Sequence, residues 1–287
     1  MLIKRAAILF VLTCTLCLAQ SSQRDGSAQG DTYVLIIKGI GRDPADRATK
    51  DRALKALRGF LLERTRVDSR HLVVLDARAA LPQADDRGPQ TRTAAFGGPA
   101  QPTADNIRRA IDVFASKIRP QDRFLCHYIG QANAVGGVLR LNLPGPDITE
   151  KELADRLRAL AANRQVIVLD CPCAGLAAKT LTAEGRIIVC AATAEQAYAT
   201  QFTAQLMQVL SRPLIDTDGD GKLSLLEAFT ATAREIEAWY SRQQILATET
   251  PCLEDNGDGV PSEQPWRYKT EKGDGAGAAA FLLAEGP

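Results

Sequence analysis

Two cysteines separated by one proline, Cys171-Pro172-Cys173, follow the carboxylate Asp170 at the end of the apolar run Val166 to Leu169. A thiolate is a nucleophile and a soft metal ligand. Thiols at the tip of a buried strand could therefore attack a carbonyl, cycle with a disulfide or supply half of a metal site. Nucleophilic use needs a base, and the chain has two histidines, His71 and His127. His127 lies inside the apolar run Phe124 to Ile129, where a buried structural histidine is the plainer reading, and His71 opens another apolar run. A zinc site would need a second Cys/His pair at ligand spacing, and none is present. Cys126, Cys190 and Cys252 read as small buried residues or as members of a structural bridge.

The fullest motif lies further on, at Asp216-Thr-Asp218-Gly-Asp220-Gly221-Lys222-Leu223-Ser224-Leu-Leu-Glu227. Carboxylates stand at positions one, three and five, glycine at six for the turn, a backbone carbonyl at seven, serine at nine and glutamate at twelve. This is the ligand order of an EF-hand-type loop for Ca2+. Lys222 fits because position seven offers only its carbonyl. One complete loop predicts a solitary calcium site that braces the helix after it, with Leu226, Phe229, Ile236 and Trp239 turned inward. A paired sensor would need a second hand. Glu254-Asp255-Asn256-Gly257-Asp258-Gly259 is another acidic turn without the full ligand set, read as a loop first and a weak site second.

The elements that must position these residues follow from hydrophobic period. Tyr33 to Lys38, Leu72 to Asp76, Phe124 to Ile129, Val166 to Asp170 and Ile187 to Ala191 are short apolar runs of the kind that form strands buried on both faces. Between them, Asp46 to Arg66 repeats leucine at helical spacing, and Thr103 caps a stripe of Ile107, Ile111, Phe114 and Ile118 stopped by Pro120. Thr149 to Glu152 has the form of a capping box, and Phe202 to Leu210 is helical. Strands alternating with helices predict an α/β fold, a mainly parallel sheet with helices on both faces. Residues 80–102 carry no periodicity, and the Gly/Ala-rich end beyond Pro261 has no readable pattern.

The chain has 287 residues, 45% hydrophobic and 24% charged, which suffices for one full core. Met1 to Arg5 is a basic start, and Ala6 to Leu18 is an apolar run too short to span a bilayer. With Cys17-Leu18-Ala19 before Gln20, residues 1–19 read as a Sec signal peptide, with an uncleaved anchor helix as the alternative. Residues 20–31 then form a polar linker, and residues 32–287 a single domain. The expected protein is exported, periplasmic or secreted, without a stable membrane span after cleavage. Neither Cys14 nor Cys17 follows a small residue, which disfavours a lipid anchor. Losing Lys4 and Arg5 takes the formal charge from +1 to −1, so no footprint for nucleic acid exists. Five cysteines remain, an odd number in an exported chain, so at least one is free or paired between molecules.

In element order and local sequence, roughly Tyr33 to Gly259 resembles the caspase/legumain-like cysteine peptidases, particularly the exported bacterial type. The resemblance rests on Phe124-Leu-Cys-His-Tyr-Ile-Gly-Gln131, where that family has a strand ending in Gly-His-Gly. It rests also on Val168-Leu-Asp-Cys-Pro-Cys-Ala-Gly175, where it has a strand ending in Asp-x-Cys-x-x-Gly. Gly136-Gly137, Leu143 to Gly145, and Ile188 to Ala192 followed by Glu195 are similar in spacing. The resemblance implies a caspase/legumain-like three-layer α/β/α fold and places the catalytic histidine on Gln131 and the nucleophile on Pro172. Glutamine exchanges no proton near neutral pH and proline has no functional side chain, so the implied protein is a pseudo-peptidase that acts by binding, with a peptide or protein as the ligand, or as a scaffold. Two alternatives stand beside it: an active cysteine endopeptidase using the displaced thiol of Cys171 or Cys173, and a calcium-binding structural protein unrelated to peptides. Against the displaced thiol, a one-residue shift in extended backbone turns the side chain to the opposite face.

Overall fold

A computed structural model describes residues 30–65, 67–80, 100–212, 215–267 and 273–285. The expected leader, with Cys14 and Cys17, the linker up to residue 29 and most of the segment 80–102 lie outside the described residues. Among those described, no helix is long and apolar enough to cross a membrane.

The chain runs β1 (Thr32–Lys38), α1 (Pro44–Glu63), β2 (Leu72–Asp76), α2 (Ala104–Ala115), β3 (Arg123–Ile129), β4 (Ala132–Val135), β5 (Val138–Leu141), β6 (Ile148–Thr149), α3 (Glu150–Leu157) and β7 (Arg164–Asp170). There follow α4 (Ala178–Leu181), β8 (Arg186–Cys190), α5 (Phe202–Leu210), β9 (Lys222–Ser224), α6 (Leu225–Gln243), β10 (Cys252–Glu254), α7 (Ala276–Ala280) and β11 (Leu282–Glu285). Six strands form the central sheet in the order β10-β8-β7-β3-β1-β2. All neighbours pair parallel except β10, which lies antiparallel on β8.

Alternate residues of each strand feed opposite faces. Leu35, Ile37, Cys126 and Tyr128 join α2, α3 and α4 on one side. Val34 and Ile36 meet α1, α5 and α6 on the other, where Val166 and Val168 pack with Phe202, Phe229 and Tyr240. Two covered faces explain why these strands read as unbroken apolar runs, and the result is a three-layer α/β/α architecture.

Local signals set the helix ends. α1 starts two residues before the expected Asp46, because Asp43 accepts the Asp46 N–H at 2.8 Å and Pro44 suits the first turn. Thr103 caps α2 on Asn106, but α2 ends at Ala115, well before Pro120, as its last turn tightens around Ser116 and Lys117. Thr149 and Glu152 form the expected capping box of α3.

Two pieces of structure were not expected. Residues 132–149 fold into a small antiparallel sheet, β4-β5-β6, whose first hairpin turns through Gly136 and Gly137 at φ 59° and 74°. Such a two-residue turn needs left-handed backbone at both positions, which glycine supplies. The Gly/Ala-rich end forms α7 and β11, and β11 pairs antiparallel with β9.

Candidate functional site

The sheet order reverses between β1 and β3. From β1 the chain crosses to β2 on one side and, after α2, to β3, β7 and β8 on the other, and ligands of open α/β sheets sit outside the carboxyl ends at such a point. There Gln131 donates its backbone N–H to Ile40 O at 2.9 Å, and Gly130 donates to Asp170 O at 3.1 Å. Tyr128 folds its phenol over these strand ends and donates to Gln131 O at 2.6 Å. A Cβ at Gly39 or Gly130 would lie inside contact distance of that hydroxyl, which accounts for both glycines. In register, Ile129 pairs with Asp170, so Gln131 and the turn Cys171-Pro172-Cys173 leave adjacent strand ends.

Gln131 is half-buried and its amide donates to Asp46 Oδ2 at 3.3 Å. Asp46 also receives the Arg42 N–H and holds Lys50 Nζ at 2.7 Å, with both side chains about 4% exposed. The sequence reading missed this pair. Its available signal was an opposite-charge couple at i, i+4 in line with the apolar stripe Leu54, Leu57 and Leu61.

Pro172 is buried, and so are both thiols, Cys171 at 0% exposure and Cys173 at 4%. The expectation that a one-residue shift sends a side chain to the opposite face assumed extended backbone, which this turn does not keep. The chain leaves extended geometry straight after Asp170, and Cys173 takes left-handed backbone at φ 54°, so both sulfurs enter the same core cluster. Burial pushes both thiols up, helped by Asp170 beside Cys171 and by exposed Glu195 near Cys173. A nucleophilic thiol needs the opposite shift.

His127 is buried in β3 with Nε2 at 2.8 Å from Thr203 Oγ1, and burial lowers its pKa to about 4 against the partial support of Asp170. It is thus the structural histidine expected. His71 stacks on Tyr33 at the amino end of the sheet, with ring centroids 4.2 Å apart. A cavity of about 470 Å³ opens at that same amino end, lined in part by His71, Arg123 and Phe281 and remote from the strand tips.

Behind the strand ends, two carboxylates hold the entry to α5. Asp170 accepts the Thr203 N–H at 2.9 Å and the Thr200 hydroxyl, and Glu249 accepts the Gln201 N–H at 2.9 Å. An ionised Asp170 there suits the positive end of the helix dipole. Burial first, then the Asp170 charge, raises Glu249 to about 8, which stores a proton at neutral pH. Nothing in the local sequence marked Glu249.

The loop Asp216–Glu227 converges. Oxygens of Asp216, Asp218 and Glu227 lie within 4.8 Å of one another, the one such group of three or more acidic, His or Cys side chains among the described residues. Oxygens bound to one Ca2+ at about 2.3–2.6 Å sit at most about 5 Å apart, so the spread fits that ion. Gly219 and Gly221 take φ 78° and 74°, letting their N–H groups reach Asp216 at 2.7 and 2.9 Å. Asp220 is exposed and accepts the Lys222 N–H at 2.8 Å. Glu227 receives the Thr217 N–H and forms a capping box with Ser224, both buried at the head of α6. Leu226 and Trp239 are half-buried and Phe229 and Ile236 fully so. The weaker turn at 254–259 is internally satisfied: Glu254 is fully buried and accepts the Gly257 and Gly259 N–H groups, while Asp255 accepts from Gly275 and Ala278.

Fold and site together define a three-layer α/β/α protein with a mainly parallel six-stranded sheet, a thiol-bearing turn sealed at its carboxyl end and a convergent acidic loop attached. Among solved structures, it is similar to the Drosophila initiator caspase Dronc, at 11% identity and a TM-score of 0.46 over 80% of this chain and 81% of that one. No protein-family description matches the chain. No curated protein matches it in sequence.

Proposed function

We propose that this chain is an exported, calcium-binding pseudo-peptidase of caspase/legumain-like type, which binds a peptide or protein at the carboxyl end of its sheet without cutting it. The observation that carries the reading is the pairing of Gln131 and the Pro172 turn on adjacent strand ends, with neither side chain able to attack or exchange a proton. Burial of Cys171 and Cys173 removes the neighbouring thiols from the same task. Binding is supported by apolar side chains left exposed on the loops at that end, Ile40 at 43%, Tyr198 at 63% and Leu246 at 88%. Calcium is supported by the convergent oxygens of Asp216, Asp218 and Glu227, with Asp220, Ser224 and the Lys222 carbonyl completing the ligand order.

The test is incubation of purified protein with a mixed peptide library, with and without millimolar calcium. Intact peptides are expected; cleavage abolished by Cys171→Ala or Cys173→Ala would establish the displaced-thiol endopeptidase instead. Export is tested by the amino terminus of the mature protein in a secreting host, expected at Gln20.

A further inference from the structure

Cys190 closes β8 and Cys252 opens β10, and the antiparallel register sets them directly opposite each other. On the outer side of β10, Leu253 exchanges both backbone hydrogen bonds with Ser262, at 2.9 and 2.8 Å. Backbone groups alternate sides along a strand, so those of Cys252 face β8 and the two cysteines form a hydrogen-bonded pair, with Cα atoms about 5.5 Å apart. Disulfides bridge Cα separations of about 4.4–6.8 Å. Both free thiols enter the same core cluster, where Cys190 Sγ donates to Ala174 O at 3.4 Å and Cys252 Sγ to Ala192 O at 4.0 Å, and the nearness of Cys252 pushes the Cys190 thiol up.

We propose that Cys190 and Cys252 oxidise to a cross-strand disulfide that staples the edge strand β10 to β8. The oxidant is another disulfide, oxidised glutathione or the active-site bridge of an oxidoreductase. One cysteine, as thiolate, attacks that S–S bond, and the second then displaces the sulfur left in the mixed disulfide. The protein gains one S–S bond, the oxidant leaves as two thiols, and the two protein thiol protons end on them. At 0% and 2% exposure, the pair is reached during folding or when the three-residue β10 opens.

The staple would act on the functional end of the sheet. Glu249 and Thr250, directly before β10, hold the loop after β8 through Gln201 and Gln196. Fixing β10 therefore fixes the loop that carries exposed Tyr198. Cys126 is no competitor for Cys190, since β7 lies between their strands and two strand spacings amount to about 9.6 Å. Cys171 and Cys173, in the same cluster, are the competitors.

The inference rests on neither the cleft reading nor export, because oxidation is done in vitro. The full chain from residue 20 is refolded in a glutathione buffer dominated by the oxidised form, alkylated, digested without reduction and mapped by mass spectrometry. The expected result is one cross-linked species joining the Cys190 and Cys252 peptides, with Cys126, Cys171 and Cys173 alkylated. The oxidised protein should melt at least about 4 °C above the reduced one, a difference absent in Cys252→Ser. Alkylation of both Cys190 and Cys252, or a bridge from either of them to Cys171 or Cys173, would overturn the proposal. Should Cys252→Ser fail to fold, the wild-type map decides alone.

Discussion

Gln131 at the end of β3 donates its side-chain amide to Asp46 in the first turn of α1, at 3.3 Å. The position that the family resemblance gives to a base thus holds a neutral donor leaning on a carboxylate already paired with Lys50. That contact ties α1 to the switch point of the sheet and gives Gln131 a structural role.

Removing the shared carboxylate should therefore be costly. Asp46→Ala leaves Lys50 buried without a counter-charge, a loss of about 3–5 kcal/mol in urea unfolding. Asp46→Ala combined with Lys50→Met should regain most of it, since the buried charge goes as well. A single-variant cost under about 1 kcal/mol would show that Lys50 reaches solvent.

Thiol reactivity separates the inert turn from the displaced nucleophile. Native protein treated with iodoacetamide at pH 6.5 should label Cys171 and Cys173 slowly, because burial raises both thiols. Denatured protein should label at the rate of a free thiol. Fast native labelling at either residue would restore the case for an active peptidase.

Stability should fall between about pH 6.5 and 8 through Glu249. Its folded pKa of about 8 exceeds the unfolded value near 4.3, so the folded state holds a proton that the unfolded state has released, and stability declines as pH rises through that window. His127, lowered to about 4, works in the opposite sense, but its contribution is complete above about 6.5. Around Glu249 stand Asp170, Tyr240, Lys50 and the Gln201 N–H. Glu249→Gln should flatten the slope, recovering about 1–2 kcal/mol at pH 8 relative to pH 6.5. An unchanged slope would assign the proton elsewhere.

Calcium at roughly 10 mM should stabilise the fold by about 1.4–2.7 kcal/mol, given extracellular affinities of about 10⁻⁴–10⁻³ M. Asp218→Ala, on an exposed side chain, should erase the gain with little change in basal stability. Glu227→Ala should erase it too while also losing the α6 capping box. Deleting residues 282–287 removes the antiparallel partner of β9 and should weaken the calcium response. A melting curve indifferent to calcium would leave this loop a capping turn.

Much of the sheet was legible because each central strand is buried on both faces and so is written as a continuous apolar run. The caps at Thr103 and Thr149 were legible because capping depends on residues three apart. The hairpin at Gly136-Gly137 was harder: β4 is mostly exposed and too short to show alternation. β11 was hidden because its role is to pair with β9, 58 residues upstream of its first paired residue.

The sequence by itself determined the α/β order, the acidic loop with every ligand type in place, and the absence of a base or nucleophile at Gln131 and Pro172. These depend on residue identity and short-range spacing. Only the tertiary structure decided that Cys171 and Cys173 turn inward together, that Asp46, Lys50 and Gln131 meet, that Glu249 stores a proton and that Cys190 faces Cys252. Each of those is a contact between segments distant in sequence, or a turn whose backbone leaves the period of the strand before it, and neither kind of fact is encoded in local pattern.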